Sequence, residues 1–140
     1  MTKMHEIYKC EVCGNITEVL HTGVGELVCC GQQMKLITEI TENSQNAQKD
    51  LMDKHLPVIK ELPASACRVK DGVKITIGEV EHPMSEEHHI EWIEIIVEDG
   101  KRGKRFLKHG EKPEADFYTR KDVIGARAYC NVHGLWMLKL

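Results

Sequence analysis

The stretch that decides the fold reads Ile90-Glu91-Trp92-Ile93-Glu94-Ile95-Ile96-Val97, and the dipeptide Asp99-Gly100 comes shortly after it. Its β-branched and aromatic residues fall on both faces of an extended chain, which is typical of a strand buried between two layers. Asp-Gly is a frequent turn signal at the end of a strand. The stretch therefore predicts a central strand that ends in a turn.

Further extended segments lie on both sides of this strand. Val73, Ile75 and Ile77 alternate with polar residues after the turn dipeptide Asp71-Gly72, and strands are also predicted at 117–119 and 135–140. No convincing amphipathic helix separates them, which favours an antiparallel sandwich of the immunoglobulin-like type over an α/β fold. We therefore predict an all-β domain over residues 55–140.

The first forty residues predict a separate, smaller domain. Short alternating segments at 16–20 and 34–38 are separated by glycines. Units of about 40 residues or fewer usually need a metal, disulfides or a partner in order to fold. The polar residues that follow predict a linker over 41–54, with one helical turn around 47–52.

Composition narrows the class of protein. The 140 residues include 6 Cys and 8 His but only 7 aromatic residues, a combination that points to bound metal. With 19 Lys and Arg against 22 Asp and Glu, the formal net charge is -3, which argues against nucleic acid as a partner. The N-terminus lacks an apolar signal segment, and no apolar run approaches the roughly 18 residues of a membrane span. We therefore expect a cytoplasmic protein, where clustered cysteines are more often ligands or catalytic thiols than disulfides.

The segment from Lys101 to Lys108 is the only other strong charge feature, since five of its eight residues are basic. We interpret it as a solvated loop beside a turn, with docking of an acidic partner or attraction of an anion as the alternatives.

Four cysteines of the small domain form the first candidate metal site. Cys10-x-x-Cys13 and Cys29-Cys30 are two pairs of thiols, each followed by a glycine at a tight turn. Two such turns can close a tetrahedral site of four sulfurs, which suits zinc or iron. Structural zinc is the usual interpretation. Adjacent cysteines cannot both ligate in a relaxed geometry, and this distortion favours redox iron.

The second candidate site combines one thiol with four imidazoles. His82 and His88 lie in one predicted loop between strands, Cys130 and His133 in another, and His55 stands at the entry to the domain. Loops at one end of a sandwich cluster in space. Five nitrogen and sulfur ligands exceed what tetrahedral zinc accepts and leave the sixth position of an octahedral iron for a small molecule. A nucleophilic Cys130 with His133 as its base would leave three histidines without a role.

These motifs, taken together, resemble desulfoferrodoxin, the two-iron class of superoxide reductase. The similarity covers nearly the whole chain and rests on the two cysteine pairs and on five further motifs. These are Lys54-His55-Leu56-Pro57-Val58, His82-Pro83-Met84, His88 with Ile90-Glu91-Trp92-Ile93-Glu94, Phe106-Leu107-Lys108 with Lys112-Pro113-Glu114-Ala115, and Tyr129-Cys130-Asn131-x-His133-Gly134-Leu135-Trp136.

The resemblance implies a desulforedoxin-like or rubredoxin-like domain with a distorted Fe(Cys)4 centre, followed by a sandwich with a catalytic Fe(His)4Cys centre. In the second centre, His55, His82, His88 and His133 would be equatorial ligands and Cys130 the axial ligand. The implied reaction is the one-electron reduction of superoxide to hydrogen peroxide. The implied partners are a rubredoxin-like electron donor and a second copy of the chain in a homodimer.

The resemblance implies catalytic roles for the two residues that precede His55. Lys54 would attract superoxide and help to orient the water that supplies a proton. Asp53 stands where the family usually carries a glutamate that caps oxidised iron, and its side chain is one methylene shorter.

Other positions depart from the family pattern. The stretch from Val58 to His82 is longer by roughly one turn of loop, and Cys67 within it is interpreted as a non-ligand thiol. Residue 89, where the family tends to have an aromatic residue, is His, and His5, His21 and His109 are interpreted as surface residues. Trp92 and Trp136 are expected to wall the catalytic iron from solvent.

Two other classes of protein are alternatives to an enzyme. One is a rubredoxin-like electron carrier, in which the four-sulfur iron carries the electron and the sandwich is a docking module. The other is a zinc-stabilised interaction protein without redox chemistry.

Overall fold

The structure, a computed structural model, describes residues 1–44, 48–62 and 72–140. The chain divides into two units, Met1–Thr38 and Glu39–Leu140. The described residues contain strands and one short helix. They are β1 (Ile7–Lys9), β2 (Ile16–Glu18), β3 (Val28–Cys29), β4 (Gln32–Gln33), β5 (Lys35–Ile37), β6 (Glu39–Ile40), α1 (Lys49–His55), β7 (Pro57–Glu61), β8 (Gly72–Ile77), β9 (Ile90–Val97), β10 (Arg102–Phe106), β11 (Glu114–Tyr118), β12 (Val123–Cys130) and β13 (Gly134–Lys139).

The first unit is a small antiparallel sheet with a short hairpin. Strand β1 lies between β2 and β5, with Ile7 opposite both Glu18 and Ile37. Strands β3 and β4 form the hairpin, and Cys29 pairs with Gln32. Ile7 and Cys10 are almost fully buried, but many apolar side chains of this unit are exposed. So small a core agrees with the expectation that this unit needs a metal.

The second unit is a sandwich of two sheets. The five-stranded sheet has the order β10-β9-β12-β13-β6, and the three-stranded sheet has the order β11-β8-β7. All neighbouring strands are antiparallel except β13 and β6, which are parallel. This architecture confirms the predicted all-β sandwich.

Buried side chains from both sheets form one core. The inward residues of β9 and β12 pack with Ile75 and Ile77 of β8 and Phe117 of β11. Both faces of β9 are buried, as the sequence around Ile90 to Val97 predicts. The turn after β9 is confirmed at Gly100, whose φ of +85° lies in the left-handed region that glycine adopts without strain.

The interval 41–54, predicted as a linker, contains α1, which begins at Lys49 and ends at His55. The helix ends one residue beyond the predicted linker, and its last turn carries Asp53, Lys54 and His55. Strand β6, at 39–40, pairs with β13 of the sandwich. The predicted domain bounds stay a prediction. The predictions for Asp71 and Cys67 fall outside the described residues.

Five of the eight residues in the basic segment 101–108 form a strand, so the interpretation of this segment as a loop was wrong. Most of it forms the edge strand β10, paired with β9 from Arg102 to Phe106. Arg102 and Lys104 form ion pairs with Glu94, which is almost fully buried and also bonds Arg127 at 2.5 Å. The run of basic residues did not predict a strand, because the sequence does not show that the buried Glu94 on the neighbouring strand compensates their positive charge.

Candidate metal centres

Four cysteines of the first unit converge on one point. The sulfurs of Cys10, Cys13, Cys29 and Cys30 all lie within 4.8 Å of one another. Cys13 Sγ is 3.6 Å from Cys29 Sγ, which is 3.9 Å from Cys30 Sγ. Tetrahedral ligands with metal–sulfur bonds of about 2.3 Å lie about 3.8 Å apart. The spacing therefore fits one tetrahedral metal ion.

Tight backbone turns direct these sulfurs. The Cys10-to-Cys13 turn is closed by the Gly14 N–H, which donates to the Cys10 carbonyl at 2.9 Å, and the Cys13 N–H points at Cys10 Sγ at 3.5 Å. The adjacent pair requires an unusual backbone, and Cys30 has a φ of +53°. A non-glycine residue in this region is strained, which agrees with the distortion expected for adjacent ligands.

The thiols of this cluster strongly influence one another. The backbone N–H of Cys13 lowers the pKa of Cys10 to about 6, whereas hydrogen bonding among the neighbouring sulfurs, first with Cys13, raises the pKa of Cys30 to about 12. Four thiolates this close repel one another unless a cation neutralises them. A bound metal ion supplies that charge and deprotonates its ligands.

The second cluster gathers residues from four places in the sandwich. His55 ends α1, His82 and His88 lie in the loop between β8 and β9, Cys130 ends β12, and His133 lies in the turn before β13. One ligand atom each from His55, His88, His133 and Cys130 lies within 4.8 Å of the others. His82 joins them through its Nε2, which is 2.9 Å from Nε2 of His55.

The four imidazoles stand at the corners of a square. Neighbouring rings, taken in the order His55, His82, His88, His133, have centroids 4.5 to 4.9 Å apart, and the diagonal from His55 to His88 is 6.3 Å. Nδ1 of His133 is 3.2 Å from Nε2 of His88. Metal–nitrogen bonds of about 2.1 Å in a square plane place neighbouring nitrogens about 3.0 Å apart. This arrangement fits four equatorial ligands of one ion.

Backbone carbonyls fix the tautomers of the two buried imidazoles. Nδ1 of His55 bonds the Leu51 carbonyl at 2.7 Å, and Nδ1 of His82 bonds the Pro83 carbonyl at 2.7 Å. A carbonyl oxygen only accepts, so each Nδ1 carries the proton and each Nε2 offers its lone pair to the cluster.

Burial keeps His55 and His82 uncharged near neutral pH in the absence of metal. Desolvation lowers the pKa of both His55 and His82 to about 4, and it lowers the pKa of His88 as well. Burial raises the pKa of Cys130, whose sulfur accepts from the His133 N–H at 3.4 Å. Neutral imidazoles and one thiol are the forms from which a metal assembles this ligand set.

The two tryptophans have different surroundings. Trp136 stacks on His55 with centroids 4.7 Å apart and donates from Nε1 to the His133 carbonyl at 3.1 Å, so it covers the cluster as expected. Trp92 instead stacks on Tyr129 at 6.1 Å and lies beneath the ammonium of Lys104.

Sequence reasoning missed Ser85. Its hydroxyl accepts from the His88 N–H at 3.2 Å, and its own N–H donates to the His88 carbonyl at 3.0 Å. The sequence feature that could have indicated this role is a serine three residues before the candidate ligand His88, a spacing at which hydroxyls often close a turn.

The remaining histidines belong to neither cluster, although the charge of His89 contributes to lowering the pKa of its neighbour His88. His5 bonds Glu18 at 3.3 Å, and His21 is exposed. The rings of His89 and His109 are 6.2 Å apart. Lys54 is exposed on the last turn of α1, yet its charge contributes to lowering the pKa of His82 and His88, so it lies near the second cluster.

Comparison with known proteins identifies the family. The desulfoferrodoxin family model matches residues 46–139, and the model of the desulfoferrodoxin N-terminal domain matches residues 2–37. The chain belongs to the desulfoferrodoxin family. Its group of four cysteines and its group of four histidines with one cysteine match the two iron centres of desulfoferrodoxin.

Individual relatives agree with this assignment. Desulfoferrodoxin of Nitratidesulfovibrio vulgaris is 48% identical over 136 residues, which cover 97% of each chain. Superoxide reductase of Pyrococcus abyssi is 39% identical over 98 residues, 60% of this chain and 83% of that protein. The crystal structure of the superoxide reductase from Treponema pallidum, 21% identical, covers 96% of each chain with a TM-score of 0.70 and so has the same fold.

Helix α1 has 7 residues, and no helix among the described ranges has the length and apolar character needed to cross a bilayer.

Proposed function

We propose that this member of the desulfoferrodoxin family is a superoxide reductase. The observation that carries the proposal is the square of four imidazoles with the buried Cys130 sulfur beside it. His55, His82, His88, His133 and Cys130 are the residues that would hold the iron. The relatives named superoxide reductase support the reaction.

Iron(II) held by this set would supply one electron to superoxide, which takes two protons from water and becomes hydrogen peroxide without release of dioxygen. The protein contributes the electrostatics. Four neutral imidazoles add no negative charge, so the site stays attractive to an anion. The Cys130 thiolate would donate electron density to a bound metal, and the His133 N–H, which donates to the Cys130 sulfur at 3.4 Å, would moderate that donation.

Lys54 and Asp53 are the proposed catalytic residues outside the ligand set. Lys54, beside the ligand His55, places a positive charge near His82 and His88. A cation at the entrance to a site steers an anion toward it even when the protein as a whole is negative. We assign Lys54 the capture of superoxide and the orientation of a proton-donating water.

The role of Asp53 depends on its reach. Its backbone carbonyl accepts from the Val80 N–H at 3.1 Å, which fixes the α1 turn that also carries Lys54 and His55. We propose that its carboxylate approaches oxidised iron. Replacing Asp53 by Ala is then expected to change the visible spectrum of the oxidised second centre at neutral pH, while Asp50→Ala, on the first turn of the same helix, leaves it unchanged. Identical spectra for wild type and Asp53→Ala would remove the carboxylate from the mechanism.

The first centre is proposed to relay electrons to the second or to stabilise its own unit. A rubredoxin-like protein is the proposed electron donor, and a homodimer is the proposed assembly. We propose that the second centre is enough for the chemistry, so we do not expect the first centre to be required for the reaction with superoxide.

Whether the reaction needs the first centre separates an enzyme from an electron carrier. We expect two irons per chain and, when the reduced protein meets superoxide, a thiolate-to-iron band from the second centre. A Cys29→Ser, Cys30→Ser variant is expected to keep this reaction and His133→Ala to lose it. The reverse pattern would favour the electron carrier, and two zincs per chain would indicate a structural protein.

A further inference from the structure

The strand ladder is irregular beside the second cluster. Tyr129 of β12 pairs with Trp92 of β9, but the next residue, Cys130, pairs with Ile90. Glu91 is therefore an extra residue, a β-bulge of the kind that redirects a strand next to a functional site. The bulge lies between Cys130 on one strand and the His88 loop that precedes the other.

Asn131 continues the pairing beyond this bulge. Its backbone N–H donates to the His89 carbonyl at 3.2 Å, as in a regular ladder. The His89 N–H donates at 2.9 Å to the side-chain oxygen of Asn131, which takes the place of a backbone acceptor. The side-chain amide of Asn131 donates at 3.1 Å to the Glu87 carbonyl. One side chain thus holds the backbone on both sides of His88.

Because of the position of Asn131 in the sequence, these hydrogen bonds connect two parts of the metal site. It lies in the turn from Cys130 to His133, so it belongs to the segment that carries two members of the cluster. Ser85 closes the His88 loop from within, whereas Asn131 joins that loop to the turn. The resulting alignment brings Nε2 of His88 within 3.2 Å of Nδ1 of His133.

We propose that Asn131 is a positioning residue for the second metal centre. It sets the place of His88 relative to Cys130 and His133 through hydrogen bonds to Glu87 and His89, and it is not itself a ligand. The proposal rests on the proposed metal site, but not on any reaction with superoxide.

Asn131→Ala removes both side-chain bonds and keeps the backbone bond. Because residues that orient ligands typically affect metal affinity by tenfold or more, the reduced protein should lose iron from the second centre to a ferrous chelator roughly tenfold faster. The thiolate-to-iron band of the oxidised second centre should also shift. The four-sulfur centre provides a reference in the same sample, and its spectrum should not change.

Two further variants make the test specific. Asn131→Ser keeps a short hydroxyl that can replace one bond at most, so its iron loss should fall between wild type and Asn131→Ala, and it serves if the alanine variant does not fold. Glu86→Gln changes an exposed side chain of the His88 loop and should behave as wild type. A lower melting temperature of Asn131→Ala or Asn131→Ser with wild-type iron loss and an unshifted band would overturn the proposal. No superoxide enters this test, so its failure leaves the proposed reaction untouched.

Discussion

His55 shows how much of the site depends on a single side chain. It ends α1, stacks on Trp136, bonds the Leu51 carbonyl through Nδ1 and presents Nε2 toward His82. Its candidacy as a ligand followed from the sequence, because several histidines and a cysteine occurred at predicted loop positions. Its tautomer did not, because the carbonyl that selects it is positioned only by the helix.

Burial of His55 and His82 predicts how the metal-free protein responds to acid. Both pKa values are about 4 in the folded chain, against about 6.5 when exposed. As the pH falls from about 6.5 toward 4, the unfolded chain binds protons that the folded chain cannot, so the free energy of unfolding decreases. Urea unfolding of the metal-free protein at several pH values should show this decline.

A histidine variant isolates that contribution. In His82→Gln the decline between pH 6.5 and 4 should be shallower, whereas exposed His21→Gln should match the wild type. Parallel curves for wild type and His82→Gln would show that burial of His82 does not determine the acid response.

Lys54 supplies the second prediction at this scale. Lys54→Ile should slow the second-order reaction of the reduced protein with superoxide by about tenfold or more and flatten its dependence on ionic strength. Lys49→Ile makes the same charge change at the opposite end of α1 and should have little effect. Equal rates for wild type and Lys54→Ile, with both metals in place, would exclude Lys54 from substrate capture.

At the scale of elements, α1 is held by a close approach to the segment after β8. The Gly78 N–H donates to the Leu56 carbonyl at 3.0 Å, and Gly78 has a φ of +83°. A Cβ at this position would lie 2.5 Å from the carbonyl oxygens of both Lys54 and Val80. Only glycine fits both the conformation and the space.

Gly78→Ala should therefore destabilise the protein by about 2 kcal/mol or more and displace the helix end that carries Lys54 and His55. Gly110→Ala is the matched control, because Gly110 has a φ of +88° but a Cβ there would meet nothing within 4 Å. That control should cost only about 1 kcal/mol, the conformational part alone. Iron content and thermal unfolding measure both effects, and equal losses would show that the contact with α1 is unimportant.

The sequence predicted the strands better than the helix. Alternation and β-branched residues located β8, β9, β11 and β13, because burial in two layers imposes those patterns. The sequence predicted only one helical turn around 47–52, because the short helix Lys49–His55 is polar and fully buries only His55, which leaves a weak signal. Edge strand β10 was missed because two of its basic residues pair with Glu94, whose burial depends on pairing between distant strands.

At the scale of the whole molecule, two units each gather one ligand set. The four cysteines lie within residues 10–30, where local turns place them, so their grouping was predictable from spacing alone. The second set spans 55–133 and depends on the closure of the sandwich. Its membership was predicted from the loop positions of its five residues and its ligand roles from the family resemblance, whereas the square arrangement of its imidazoles emerges only from the fold.

We propose that this protein reduces superoxide and does not dismutate it. The most direct measurement is pulse radiolysis of the fully reduced protein with superoxide in known amount, followed by counting of hydrogen peroxide and dioxygen. We predict one hydrogen peroxide for each superoxide consumed and no dioxygen. Hydrogen peroxide and dioxygen in equal amounts would contradict the account, because that yield belongs to dismutation.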